Sequence, residues 1–496
     1  MSKLTMTTLK GLLWSFAGTG SNAVIQLGVI VVLARLLTPK DFGLVAAALV
    51  IVNFAAIFTQ LGVGPAIVQR PRLETSHLRV AFTVSCLLGV AFTVVTALLA
   101  GVISGFFGMP ELKLVIQIMS GTFLLKSIAV VPDSLMRREL QFRQLAIIEI
   151  FTLGFGFGTV GIVLALIGCG VWSLVIAYMA QYALTSLILL LVKPHAKAPS
   201  LDLSALGELL KFGGGLTITH VCNYMAVQGD NLVIGRSLGA DALGIYGRAY
   251  QFMAAPAMLV GQVLDNVLFP AMAKVQEQPE RLGIVYRRGV SFIASVTLPL
   301  SVVIVILAPE IIDVLLGAGW EQVVLPFQVL AIGTMFRTSY KMSDSLSRAT
   351  GAVYRQAWRH GVYALSVVFG AYFGSNWGLV GASVGVLCAL TIHFILMTQL
   401  SLRLTDLGLR NFLIALASPF LLTAVVALQA WFLVNILRTQ AFSAFHTIFV
   451  ILLVISITTL FLCLMARRMF IGQDGLWILH SLSLLMKGKS LESENV

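Results

Sequence analysis

Long apolar stretches, separated by short polar ones, run along nearly the whole chain. A stretch of about 20 apolar residues is long enough to cross a hydrocarbon core of about 30 Å as an α-helix. The pattern predicts an all-α polytopic membrane protein with about fourteen transmembrane helices. They lie at residues 11–35, 42–63, 80–106, 112–134, 145–168, 171–192, 207–235, 242–269, 284–308, 325–347, 354–374, 377–401, 411–436 and 446–466.

Basic residues predict how these helices are oriented. If the N-terminus is cytoplasmic, most of the 33 lysines and arginines fall on the cytoplasmic side, where they are favoured. The opposite side then keeps only Arg35, Lys40, Lys113, Arg236 and Arg438. Because the number of segments is even, both termini are expected in the cytoplasm. This asymmetry explains the net charge of +12 without a nucleic-acid partner, and it favours contact with anionic membrane lipids.

The composition narrows the class of protein. The chain is 58% hydrophobic and 11% charged, with a mean hydropathy of +0.95, which exceeds what a soluble domain tolerates. Its five cysteines have no paired spacing, and the sequence contains no HExxH, P-loop or paired-cysteine metal motif. We therefore expect no enzyme, no cofactor and no bound metal. Energy for transport is expected from an ion or voltage gradient.

Two polar patterns indicate that the chain is duplicated. One motif comprises Lys126, Asp133, Ser134, Leu135 and Arg137, and it recurs 211 residues later as Arg337, Asp344, Ser345, Leu346 and Arg348. A second match, at an offset of 201, pairs Asn22 with Asn223 and Arg35 with Arg236. The difference between the offsets indicates an insertion of about ten residues in the second half, near Gly317, Gly319, Trp320 and Glu321.

The duplication predicts two six-helix bundles, at residues 1–200 and 201–403. Because each repeat has an even number of segments, a pseudo-two-fold axis along the membrane normal is expected to relate the bundles, with a central cavity between them. Residues 404–470 form two extra helices outside the repeat. Residues 471–496 are expected to form a cytoplasmic tail.

The repeated charges are candidate functional groups, since ionisable residues inside membrane segments usually contact a substrate, an ion or a partner charge. Lys126 and Arg337 lie eleven residues before the inner end of their segments, about 16 Å deep. Arg337, Lys341, Asp344 and Arg348 share one helical face. This face lines a cavity in one interpretation and forms a buried ladder of ion pairs in the other.

The acidic and amide residues allow two interpretations each. Asp133 with Arg137, and Asp344 with Arg348, are spaced for local ion pairs; the alternative is an inner gate. Amides at Asn22, Gln26 and Asn223 bind sugar hydroxyls or fasten helix to helix. The acids Asp230, Glu149 and Asp265 carry a proton or sodium ion, or they neutralise a neighbouring base. Arg248 extends a cationic wall or pairs with Asp230 or Asp265.

Several motifs resemble one transporter family. Residues 33–43, LARLLTPKDFG, resemble the first extracytoplasmic turn of the bacterial polysaccharide transporters, the O-antigen, colanic-acid and exopolysaccharide type lipid-linked oligosaccharide flippases. Residues 211–213, 230–236 and 316–320 are similar to the same family, and the resemblance covers residues 8–400. It implies the multidrug/oligosaccharidyl-lipid/polysaccharide exporter superfamily.

The resemblance implies a flippase of the bacterial inner membrane. Its cargo would be a polyprenyl-diphosphate-linked oligosaccharide, moved by alternating access for surface or exopolysaccharide synthesis, with polysaccharide polymerase and chain-length proteins as partners. The diphosphate would bind in a cationic cavity formed by Lys126, Arg337, Lys341 and Arg248. Two other functions remain open: a cation-coupled antiporter of small molecules or drugs on the same fold, and a non-transporting scaffold subunit of a polysaccharide synthesis complex.

Overall fold

The computed structural model describes the backbone of residues 3–60, 63–70, 73–200, 202–440 and 442–465. Within these ranges, side chains are described except for residues 3–17, 19, 60, 203–222 and 256–271. All regular elements in the described ranges are helices. The chain divides into two compact units, Met1–Gly247 and Arg248–Val496, which we call the N-terminal and C-terminal units.

The N-terminal unit contains nine α-helices and the first arm of a tenth within its described residues. They are α1 (Lys3–Leu36), α2 (Pro39–Gln60), α3 (Val63–Gln69), α4 (Thr75–Phe107), α5 (Leu112–Met119), α6 (Gly121–Arg138), α7 (Phe142–Phe151), α8 (Val160–Leu166) and α9 (Val171–Val192). A π-helical segment, Thr152–Thr159, joins α7 to α8. Helix α10 (Leu203–Lys274) has two arms that meet at Gly239, whose φ of 88° is outside the helical range.

The C-terminal unit begins within the second arm of α10. Its further described helices are α11 (Pro279–Leu316), α12 (Val324–Ile332), α13 (Thr334–Ala349), α14 (Val353–Gly374), α15 (Gly378–Thr405), α16 (Leu409–Thr439) and α17 (Ala444–Met465). Two short 3₁₀ turns, Glu321–Val323 and Ser375–Trp377, precede α12 and α15.

The predicted all-α polytopic fold is confirmed. Each of the fourteen predicted segments coincides mainly with helix over its described residues, and two of them form the arms of α10. In the described ranges, nine stretches are long and apolar enough to cross a membrane. They are Pro39–Thr59, Thr75–Phe107, Leu112–Arg138, Phe142–Leu166, Val171–Val192, Pro279–Leu316, Val353–Thr405, Leu409–Thr439 and Ala444–Met465.

The two segments that carry the repeated charges are both interrupted. Ser120 separates α5 from α6, and Gly333 separates α12 from α13. The cation of each copy follows within two turns of the break, Lys126 in α6 and Arg337 in α13. The duplication thus extends to a local break in the helix beside each cation.

Glycines allow close helix contacts in both units. In the N-terminal unit, a Cβ on Gly43 of α2 would lie 1.8 Å from the carbonyl oxygen of Ala240 in α10. In the C-terminal unit, a Cβ on Gly385 of α15 would lie 2.0 Å from the carbonyl oxygen of Gly370 in α14. The backbones therefore touch at these positions, as small residues permit in membrane helices. The second contact holds α14 close to α15, so that side chains of the two helices can also meet elsewhere along their length.

Candidate functional site

Lys126 lies inside the N-terminal unit between two polar side chains. Its Nζ atom is 3.4 Å from Oδ1 of Asn53 on α2 and 4.3 Å from the ring centroid of Tyr182 on α9. Within the described side chains it forms no ion pair with a carboxylate. A partly buried ammonium facing an aromatic ring is held by a cation–π contact, which leaves its charge uncompensated.

A cavity of about 390 Å³, lined in part by Tyr182, also lies within the N-terminal unit. Its walls come from α1, α7, the π-helical segment and α9, and they combine amide, hydroxyl, carboxylate and aromatic groups. The lining residues are Asn22, Gln26, Glu149, Thr152, Leu153, Phe157, Tyr178, Gln181, Tyr182 and Thr185. We call this space the N-terminal chamber. Two of its amides, Asn22 and Gln26, were among the residues that the sequence predicted as sugar or helix contacts.

Glycines shape the wall of the chamber. The π-helical segment contains Gly156, where a Cβ would lie 2.9 Å from the Cα of Gln181, and Gly158, where it would lie 2.8 Å from Val29. Gly156 therefore lets α9 approach the π-helical segment closely, and Gly158 lets α1 do so. A π-helical turn inside a membrane helix is uncommon and frequently marks a functional site.

Acidic and basic groups connect the chamber to the C-terminal end of α6. Asn22 donates a hydrogen bond to Glu149 over 3.2 Å. The Arg137 guanidinium lies 3.9 Å from Glu149 and donates to Asp133 over 2.8 Å. The structure therefore places Asp133 and Arg137 in the local pair that their spacing allowed, and it adds Glu149 to that pair.

Arg337 lies in the C-terminal unit against a tyrosine of α10. The guanidinium carbon is 4.8 Å from the ring centroid of Tyr250, and Nη1 donates to the hydroxyl over 2.5 Å. In the same arm of α10, Arg248 donates to Gln251 over 2.7 Å. Lys341, one turn after Arg337 on α13, is half-buried.

The C-terminal end of α13 differs from that of α6. The Asp344 carboxylate accepts a hydrogen bond from Gln356 over 2.9 Å and lies 3.2 Å from Nε2 of His360, both on α14. The Arg348 guanidinium donates to the main-chain oxygen of Asp344 over 3.4 Å. Sequence reasoning assigned no role to His360 or Gln356. The signal that was present is a histidine two turns inside a membrane segment.

The remaining predicted residues lie elsewhere. Asp230 is buried in the N-terminal unit, where it accepts hydrogen bonds from the Tyr246 hydroxyl over 2.6 Å and from the Asn231 amide over 2.8 Å. The bond to Tyr246 joins the two arms of α10 across Gly239. Asn223, on the first arm, is exposed. The side chain of Asp265 lies outside the described residues.

Comparisons with known proteins identify relatives over most of the chain. Residues 32–325 match a family model described as "Polysaccharide biosynthesis protein". The chain is 25% identical over 446 residues to the lipopolysaccharide biosynthesis protein WzxC of Escherichia coli K12, covering 87% of this chain and 89% of that protein. It is also 25% identical over 437 residues to the teichuronic acid biosynthesis protein TuaB of Bacillus subtilis 168, covering 87% and 90%.

A solved structure shares the fold. The lipid II flippase MurJ in an inward closed conformation superimposes with a TM-score of 0.73 at 15% identity, covering 91% of this chain and 99% of that one. At this identity the likeness establishes the two-lobe helical transporter fold. The family and these neighbours are membrane transport proteins rather than enzymes.

Proposed function

Because the chain belongs to the polysaccharide biosynthesis protein family, we propose that it is a flippase for polyprenyl-diphosphate-linked oligosaccharide repeat units. It moves them by alternating access across the bacterial cytoplasmic membrane for the synthesis of a surface or exopolysaccharide. Both termini lie in the cytoplasm. Membrane lipids surround the protein, and polymerase and chain-length proteins receive the translocated unit.

The proposal is carried by the pair of repeated cations, Lys126 and Arg337. Each contacts a tyrosine ring in its own unit, and neither has a carboxylate partner within the described side chains. The diphosphate is the part of the cargo that cannot cross unaided, because the idealised cost of moving one such charge into hydrocarbon is of order 20 kcal/mol. Lysine offers phosphate a point charge and arginine a planar fork, so both replace lost hydration.

The N-terminal chamber supports a sugar-binding role beside Lys126. Its amides at Asn22, Gln26 and Gln181 donate and accept hydrogen bonds, as sugar hydroxyls require. Tyr182 lines this chamber and also contacts the Lys126 ammonium. A volume of about 390 Å³ suits a small number of sugar rings. We propose that the chamber receives the first sugars of the repeat unit while the adjacent ammonium attracts the diphosphate.

A cation-coupled exporter of small molecules is the second candidate, and the chamber itself is the observation that favours it. Glu149 lies in the same space as Phe157, Tyr178 and Tyr182. A carboxylate among aromatic faces is also the arrangement that binds an organic cation. In that case the repeated cations would be structural, and their removal would leave polysaccharide export intact.

The test is export of the native polysaccharide by a deletion strain complemented with the double variant Lys126→Ala, Arg337→Ala. The matched control is Lys113→Ala, Arg410→Ala, which removes one exposed basic residue from each unit. Membrane abundance is checked by immunoblot, and lipid-linked repeat units are quantified in cell extracts. Loss of export at normal abundance, with those units accumulating, supports the flippase.

Normal export by the double variant contradicts the cationic diphosphate site. If the deletion strain also exports normally and instead becomes sensitive to cationic drugs, the second candidate is correct. A scaffold subunit predicts a third outcome: the deletion abolishes export, whereas the double variant at normal abundance restores it completely.

A further inference from the structure

Two histidines and an aspartate meet in the C-terminal unit, on three different helices. Asp344 comes from α13, His360 from α14 and His393 from α15. Nε2 of His360 lies 3.2 Å from Oδ1 of Asp344, and the two imidazole rings lie 4.9 Å apart between centroids. We call these three residues the histidine cluster. Asp344 also belongs to the repeated motif, but neither the sequence motifs nor the family resemblance assigns a role to the two histidines.

Gln356 gives the cluster two hydrogen-bond arrangements that differ by one proton. Its Nε2 atom lies 2.9 Å from Oδ1 of Asp344 and 3.1 Å from Nε2 of His360, so it can donate one hydrogen to each. This arrangement requires an unprotonated Nε2 on His360. When a proton binds there, His360 donates directly to Asp344 over the 3.2 Å contact, and Gln356 keeps only its bond to Asp344.

His393 is fully buried and neither of its ring nitrogens has a hydrogen-bond partner in the described part of the chain. Its ring stacks on Tyr363 at 4.4 Å and contacts the edge of Tyr340 at 4.8 Å. A buried polar nitrogen without a partner costs about 1 to 3 kcal/mol. Such a cost is expected where the group serves a function, and the ring of His360, which contacts Asp344, lies 4.9 Å from the His393 ring between centroids.

The cluster extends from the surface of the unit into its interior. The side chain of Asp344 is 20% exposed and that of His360 is 33% exposed, whereas His393 is 0% exposed. Counting from the helix ends, His360 lies about 10 Å beyond Val353, and His393 lies about 18 Å before Thr405. Arg337 lies at a similar distance from the end of α13. A proton can therefore enter the cluster at its exposed end, at Asp344 and His360.

Other charged and titratable groups surround the cluster. Arg337 interacts electrostatically with Tyr340 and Tyr363, and Asp344 interacts with Tyr340. Arg359, adjacent to His360, points toward α15 and donates to the main-chain oxygen of Leu396. The further groups on the helices that pack here are Lys341 and Arg348 on α13, Arg355 on α14, Arg403 on α15, Tyr250 on α10 and Tyr286 on α11.

We propose that the histidine cluster is the proton-binding site through which the proton gradient drives transport. One proton from water adds to the lone pair on Nε2 of His360, and the resulting imidazolium pairs with the Asp344 carboxylate. The charge of the cluster changes from −1 to 0, and the imidazolium of His360 then faces the buried ring of His393 at 4.9 Å between centroids. The coupling role depends on the proposed flippase function, whereas proton binding itself does not.

Proton binding is measured directly by ¹⁵N NMR of histidine-labelled protein in lipid nanodiscs between pH 5 and 9. The resonances of His360 are assigned as those missing in His360→Gln. We expect the wild-type ring to gain a proton on Nε2 within this range. In Asp344→Asn the protonated signal should appear only at lower pH, because the counter-charge that favours the imidazolium is gone. A His360 ring that stays neutral throughout this range overturns the proposal.

Coupling is measured as the initial rate of polysaccharide export by cells held at external pH 6 and pH 8. The matched control is His446→Gln, which changes an exposed histidine at the start of α17. We expect the wild type and this control to export several-fold faster at one pH than at the other. His360→Gln, which keeps a hydrogen-bonding group but cannot hold the proton, should lose export or its pH dependence. An unchanged pH profile in His360→Gln, or none in the wild type, overturns the proposal.

Two further measurements keep the outcomes separate. If His360→Gln is poorly inserted, Gln356→Met replaces it, since removing the competing N–H donor should move the pH profile toward higher pH; an unmoved profile contradicts the proposal. The double variant Lys126→Ala, Arg337→Ala is tested in parallel. Normal export by that variant, together with a titrating His360, would refute the diphosphate site and leave the proton site standing.

Discussion

The two copies of the repeated motif have similar surroundings at their first residue and different surroundings at their C-terminal end. Lys126 and Arg337 both rest against a tyrosine ring, at 4.3 Å and 4.8 Å from the ring centroid. At the C-terminal end of the motif, Asp133 pairs with Arg137 on its own helix, whereas Asp344 contacts His360 on the next helix. A duplicated charge pattern has therefore kept one environment and changed the other.

The helix that follows each motif accounts for the difference. Glu149 and His360 occupy the same position, seven residues after the first residue of α7 and of α14. In the N-terminal unit this position holds an acid, which lies near Arg137 and accepts from Asn22. In the C-terminal unit it holds a base, which turns Asp344 away from its own helix. The equivalent position thus lines the chamber in one unit and belongs to the histidine cluster in the other.

The largest effect is expected from breaking the helix contact that holds the histidine cluster together. Gly385→Val would place a side chain within 2.0 Å of the Gly370 carbonyl, so α14 and α15 must separate. Overpacking against backbone costs about 3 kcal/mol or more. We expect little folded protein by size-exclusion chromatography of detergent extracts. Gly361→Ala on α14, where a Cβ meets nothing within 4 Å, is the control and should leave the yield unchanged.

Exchanging the two cations should show whether their similar environments are equivalent. Arg337→Lys loses the fork that bonds Tyr250 and offers phosphate two parallel donors, so we expect export to fall about tenfold. Lys126→Arg keeps the charge and the cation–π contact, and export should stay within about twofold. Initial rates of surface polysaccharide appearance measure both. Equal effects of the two exchanges would show that only charge matters at these positions.

A matched pair of neutral variants tests the difference between Asp133 on α6 and Asp344 on α13. Asp133→Asn weakens one half-exposed pair within a helix, worth about 0.5 kcal/mol. Asp344→Asn removes the carboxylate that joins α13 to α14, and we expect about 1 to 2 kcal/mol. Thermal unfolding at pH 7 should therefore show a larger drop in midpoint for Asp344→Asn. A larger drop in midpoint for Asp133→Asn than for Asp344→Asn would contradict the difference between the C-terminal ends of α6 and α13.

The smallest effect concerns the loop around Gly319 and Glu321, where the sequence predicts an insertion in the second half. The Glu321 carboxylate accepts a hydrogen bond from the Gly319 amide over 3.0 Å, which lowers the pKa of Glu321 below its usual 4.5. A lowered carboxyl pKa stabilises the fold above about pH 4.5, and this contribution disappears as the pH falls through the folded-state value. Glu321→Gln should thus lower the thermal midpoint slightly at pH 7 and not at all near pH 3. A difference that persists at pH 3 would show another cause.

Helix positions could be predicted from the sequence because the bilayer imposes them. A membrane-crossing helix needs a continuous apolar stretch, so the fourteen segments were visible as runs in the chain. The duplication was equally visible, since matched charges such as Lys126 and Arg337 keep a constant offset. The local pair of Asp133 with Arg137 also followed from spacing alone, because residues four apart meet on one helical face.

Contacts between helices were decided by the tertiary structure. Spacing allowed Asp344 to pair on its own helix, but the close approach of α13 and α14 brings Gln356 and His360 to its carboxylate. Tyr182 and Tyr250 were not recognised as partners of the cations, because each is more than 50 residues away along the chain. Sequence by itself therefore determined the helices, the repeat and the positions of the two cations within membrane segments. Only the packing of helices distant in sequence decided which groups meet those cations, and hence where the chamber and the histidine cluster lie.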